Sequence, residues 1–287
     1  MKKILIATDF SDASRNAALY GMALAKFLDA KVILFCAYDI PSSALGLNVK
    51  ISRYDVMMQV DKLLLDEANF LDPASDKIEI LCDEGLPERA IINIANEKKV
   101  DFIIVGMKGN GASLKKIFGS TATLLAKNTN IPLIIVPENA AFKIPETIVF
   151  ANDDSLDTDR NALVYLAAIT RTFKSKLYVV KVLKDKNEQW FEVSENAHKM
   201  NKVIEILHSS FQYPVDTDIT HALNEFVIVH NADMLVMVPH KHDWLERLYK
   251  KSETKDMLFH MSIPLLILPE NIREEKVVKD SIDQNEK

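Results

Sequence analysis

Short uninterrupted apolar runs alternate along the chain with longer segments whose apolar positions recur every three or four residues. KILIA, KVILFCA, KIEILC, DFIIVG and PLIIVP read as strands, and SRNAALYGMALAKFL and RYDVMMQVDKLLLDEANFL between them read as helices with one apolar face. Strands that are apolar along their whole length belong in a parallel sheet covered on both faces, so the pattern predicts an α/β fold built as a βαβαβαβαβ unit. The same order returns with TIVFAN, KLYVVKV, VDTDIT, DMLVMV and PLLILP. Helix-start signals agree: Ser11 and Asp12 precede the first helix, and Pro87 opens the third after Gly85.

The two halves are copies at a constant offset of 132 residues from Asp101/Asp233 through Asn139/Asn271, and ENAAFKIPE, residues 138–146, is the boundary between them. The expected division is a domain over 1–140, a second over 146–271, and a charged tail over 272–287 expected to be poorly ordered. Of 287 residues, 48% are hydrophobic and 26% charged, and no apolar run reaches the roughly 20 residues of a membrane helix. MKKILIATDFSD reads as a first strand rather than a signal peptide, because an aspartate ends its apolar run early. Cys36 and Cys82 lie inside apolar strands, at no metal or disulfide spacing, and are expected to be interior thiols in a cytoplasmic protein. A net charge of −6 and the lack of a basic domain argue against nucleic acid as a partner.

The halves differ in glycine. All seven glycines lie at or before Gly119, and Gly106, Gly109, Gly111 and Gly119 fall inside GMKGNGASLKKIFGS. No acidic residue stands between Asp101 and Glu138, whereas Lys108, Lys115, Lys116 and Lys127 do. Glycine permits unusual dihedrals and close backbone approach, and amides at a helix start lack partners and carry partial positive charge. The segment after the fourth strand, with ATDFSD after the first, therefore suits an anion at the carboxyl ends of the strands. In the second copy the four glycines become Val238, Lys241, Asp243 and Lys251, while Asp153 and Ser252 match Asp9 and Ser120. Bulk and an acid there should close or repel a phosphate pocket. His240 and His242 form an HxH without further ligands at metal spacing, and read as loop histidines.

The spacing Gly106-x2-Gly109-x9-Gly119-Ser120, with ATDFSD and IPLIIVP, resembles the ATP-binding signature of the universal stress protein family. The resemblance implies two tandem open parallel-sheet domains, Rossmann-like and similar to adenine nucleotide alpha hydrolases, each five-stranded in the order 3-2-1-4-5, the second degenerate. It implies Asp9 beside ribose and adenine, Ala37 meeting adenine through its backbone, Val105 and Gly106 lining the nucleotide, and Gly109, Gly119, Ser120 and Thr121 holding the phosphates of ATP, with Mg2+ as the metal that would accompany them. Two readings stand for Asp9, which would equally cap the first helix or bond loop amides, and for Ser120, which would equally be a cap. The segment is neither a Walker A loop nor GxGxxG. All seven histidines lie in the second half, so the site has no local imidazole base, and ATP hydrolysis, if any, should be slow.

In single-domain members the last strand commonly pairs two subunits, so PLIIVP and PLLILP are expected to pair within one chain as a pseudo-dimer, with homodimerisation left open. The function so implied is an ATP-responsive regulatory or stress-protection factor with a protein partner of unknown identity. A nucleotide-independent interaction scaffold is the alternative, and a slow ATPase the third reading.

Overall fold

The computed structural model describes residues 2–40, 52–73, 77–107, 120–152, 160–185, 209–238 and 262–269. The strands of the first unit, Met1–Phe142, are β1 (Lys3–Ala7), β2 (Lys31–Tyr38), β3 (Ile78–Glu84), β4 (Phe102–Met107) and β5 (Leu133–Pro137). All pair in parallel, in the order β3-β2-β1-β4-β5. Between them run α1 (Asp12–Leu28), α2 (Arg53–Leu71), α3 (Pro87–Glu97) and α4 (Ser120–Asn128). Both faces are covered. Cys82 and Glu84 of β3 reach Asp61 and Arg53 of α2, while Glu79, of opposite parity on the same strand, reaches Lys98 at the end of α3. The core is accordingly the apolar centre of the strands, with Ile4, Leu5, Ile6, Leu34, Phe35, Ile103 and Ile104 fully buried.

Ser11 caps α1 by accepting from the Ser14 amide, and Pro87 sits at the first position of α3, where its missing N–H costs nothing. Four helix ends, at Asp29, Lys99, Lys174 and Asn231, close through non-glycine residues with φ between 49° and 57°. The left-handed stop that glycine usually supplies is thus made without it.

The second unit, Lys143–Lys287, contains β6 (Thr147–Ala151), α5 (Arg160–Phe173), β7 (Lys176–Val180), β8 (Ser210–Gln212), α6 (Ile219–Val229), β9 (Met234–Met237) and β10 (Leu265–Ile267). Its strands are parallel, in the order β10-β9-β6-β7-β8. One expected strand is corrected: VDTDIT is not its third strand. Val215 makes only an isolated bridge to Leu183, and Asp218 caps α6 by accepting from the Thr220 and His221 amides, which puts Ile219 and Thr220 in the helix. The third strand is the earlier Ser210–Gln212, followed closely by Pro214, which has no N–H to donate.

One carboxylate recurs in both units. Asp101 accepts from the Lys3 amide at 2.7 Å, and Asp233 accepts from the Glu146 and Thr147 amides at 2.8 and 2.9 Å and pairs with Lys143. Each ties the start of the unit's fourth strand to the start of its first. Burial raises the Asp233 carboxyl, and Lys143 with the two amides outweighs it, holding the group below its ordinary value. The tail from residue 270 lies outside the described residues.

Candidate functional site

In an open parallel sheet the ligand crevice forms at the carboxyl ends of the strands, where successive connections leave toward opposite faces. In the first unit that point lies between β1 and β4, paired from Ile4↔Phe102 to Ile6↔Ile104. The Thr8 amide still pairs with the Phe35 carbonyl at 2.8 Å, and the chain then turns out of the sheet through Asp9, Phe10 and Ser11. A buried hydroxyl pair holds this turn: Thr8 Oγ1 lies 3.1 Å from Ser14 Oγ, accepts from the Phe10 amide at 3.0 Å, and Ser14 Oγ donates to the Ser11 carbonyl at 2.9 Å.

Phe10 takes φ 61°, and among the described residues it alone of the five non-glycine residues with positive φ is not at a helix C-terminus. A left-handed conformation costs a bulky aromatic on the order of 1–3 kcal/mol, and such strain concentrates at functional turns. Its effect is to present Asp9. The exposed Asp9 carboxylate accepts from the Ser11 amide at 3.1 Å and from the Ser11 hydroxyl at 2.5 Å. Partial desolvation raises its pKa, and these bonds with Ser14 outweigh that, so the group lies below the ordinary carboxylate value. The cap of α1 is therefore Ser11, and Asp9 bonds a loop amide while staying open to solvent.

Gly106, near the end of β4, lies under the first turn of α1. A Cβ there would stand 2.3 Å from the Ala13 carbonyl oxygen and 2.8 Å from the Ser14 nitrogen. Close approach of helix to strand accounts for this glycine, and it places the Asp9 turn over the end of β4. Val105 is buried beside it, and Ala37, half-buried near the end of β2, pairs with Asp83 and accepts from the Cys36 thiol at 3.6 Å through its carbonyl. Ser120, exposed, and Thr121, half-buried, begin α4, whose first turn has no acidic residue. Gly109, Gly111, Gly119 and the lysines at 108, 115 and 116 lie outside the described residues, as do Asp153, His240, Lys241, His242, Asp243, Lys251 and Ser252. Val238, which aligns with Gly106, is buried and carries a branched side chain where the first unit has none.

Sequence reasoning missed Thr8, Phe10 and Ser14. The hydroxyls were visible in TDFSDAS, but nothing in that string marks Phe10 as left-handed. Cys82 also departs from expectation, half-buried rather than interior, with its thiol donating to Asp61 Oδ1 at 3.2 Å. Burial, then Asp61, push that thiol up to about 12, and burial, then Asp9, push Cys36 up to about 11.

The first unit is thus a doubly covered parallel α/β sheet with a strained, carboxylate-bearing turn at its crevice. A model described as the universal stress protein family matches residues 1–137. The chain is 31% identical over 140 residues to the universal stress protein MJ0531 of Methanocaldococcus jannaschii, spanning 47% of this chain and 81% of that protein. It is 25% identical over 295 residues to the universal stress protein Slr1230 of Synechocystis, spanning 93% and 99%. A solved universal stress protein from Archaeoglobus fulgidus shares the fold at a TM-score of 0.69 and 18% identity, over 93% of this chain and 98% of that one. The chain belongs to the universal stress protein family.

Proposed function

We propose that the first unit binds ATP at the carboxyl ends of β2, β1 and β4, and that the protein acts as a nucleotide-responsive regulatory or stress-protection factor in the cytoplasm, the second unit being degenerate. The observation that carries this reading is the exposed, ionised Asp9 carboxylate on a strained turn at the β1/β4 switch point. A carboxylate there suits the ribose hydroxyls, which donate to it. The Ala37 backbone suits adenine, with Val105 and Gly106 along the nucleotide. Gly109, Gly119, Ser120 and Thr121 would hold the phosphates, because amides opening an acid-free helix turn attract an anion. Mg2+ would ride on the phosphates.

Calorimetry of the intact chain with ATP, ADP and AMP tests the reading, with Gly119→Asp expected to abolish binding. Unchanged affinity in that variant removes the phosphate assignment. Mass spectrometry of denatured protein should also release an adenine nucleotide. The scaffold reading is favoured at Gly106 alone, where contact with Ala13 explains the glycine without a ligand. Hydrolysis should be slow, since a carboxylate held below its ordinary pKa is a weak general base. Phosphate release with Mg2+ measures it.

A further inference from the structure

Cys36 and Cys82 are register partners on the adjacent parallel strands β2 and β3. Partners of this kind project to the same face, here the face covered by α2, since Cys82 Sγ meets Asp61 of that helix. Cys36 is 5% exposed, and the half-buried Cys82 beside it, on the edge strand β3, is the way in from solvent.

The spacing decides what such a pair can hold. Side chains leaving neighbouring strands in register start about 4.8 Å apart, the strand separation. A disulfide wants its Cβ atoms about 3.5–4.5 Å apart, so closing one would draw the strands together. At the zinc–sulfur length of about 2.3 Å, two metal–sulfur bonds laid end to end span roughly 4.6 Å, so thiolates standing straight off strands at this separation would bridge one ion without drawing the strands together. Among the described residues no group of three or more His, Cys, Asp or Glu side chains could hold a metal, which leaves tetrahedral Zn2+ short of ligands. Two thiolates in line suit a soft cation content with two ligands.

We propose that Cys36 and Cys82 form a two-coordinate site for Cu(I). Binding replaces both thiol protons: one Cu(I) and two thiols give a bis-thiolate copper and two protons released to solvent, with no change of oxidation state. The bound ion would link β2 to β3 one residue before Ala37, and the proposal stands whether or not a nucleotide binds.

The test is a titration of the intact chain with Cu(I) against a competing chromogenic chelator under anaerobic, reducing conditions. One equivalent should bind, native mass spectrometry should show one copper per chain, and copper should protect both thiols of the wild-type chain from alkylation. Losing a mere supporting partner costs a metal site about 10–100-fold in affinity, so Cys82→Ser, which loses a direct ligand, should lose more than roughly 100-fold. Cys36→Ala, which suits a buried position, should lose as much. No uptake, uptake that survives either substitution, equal retention of Zn2+, or copper that leaves either thiol open to alkylation overturns the proposal. So does ready closure to a disulfide with diamide in a chain that takes up no copper.

Discussion

Single residues show where chemistry and packing part company. Glu67, only 3% exposed, is tolerated because Arg15 forks onto it with bonds of 2.7, 3.0 and 3.2 Å while lying over the Phe70 ring. Tyr20 has no such arrangement. It is buried on α1, edge-on to Phe142, and among the described residues its hydroxyl has no hydrogen-bond partner, so desolvation alone raises its pKa. Tyr20→Phe is therefore expected to hold or raise stability, by up to about 1 kcal/mol in denaturant unfolding, because it removes a buried polar group that gains nothing. A loss above that size would reveal a partner. Asp9 and Gly106 mark the limits of reading residues from the string. Asp9 was legible as a loop carboxylate, but its Ser11 partner was not, and Gly106 was legible as a special glycine, but its contact with Ala13 was not.

Elements were more legible than residues, since β1 and α2 follow from periodicity almost to the residue. The failure at VDTDIT is instructive, because its alternation mimics a strand while Asp218 acts as a helix cap, and a local hydrogen bond overrode the pattern. At that same start of α6, His221 Nδ1 sits 2.7 Å from Asp216, with Glu225 one turn on. The hydrogen bond to Asp216 raises the His221 pKa above 6.5. Its stabilising effect is then complete below about 6.5 and is lost as pH rises through the higher folded value. The melting temperature should thus fall across that window, and Asp216→Asn, which can still accept from the Asp218 amide, should flatten the fall. At the other helix–strand junction, Gly106→Ala must push α1 off β4. It should cost about 1–3 kcal/mol in denaturant unfolding, and a neutral result would show that α1 yields freely.

For the molecule as a whole, the repeat was readable from the constant offset. The difference between its copies was readable as glycines and charge gained or missing, and not as geometry, because loop conformation arises from turns that no periodicity encodes. Val238 in place of Gly106 leads to an expected stoichiometry of one ATP per chain, and calorimetric saturation at two would overturn the asymmetry.

The paired carboxylates Asp101 and Asp233 carry a broader consequence. Each fastens the amino-terminal rim of its sheet, far from the crevice, by accepting from the amide of the first residue of the unit's first strand. A foundation shared to that degree leaves the opposite rim free to be rebuilt. Transplanting residues 105–121 onto positions 237–253 should leave a folded chain, and with a glycine then standing at 238 the second unit is the natural recipient for an engineered binding pocket.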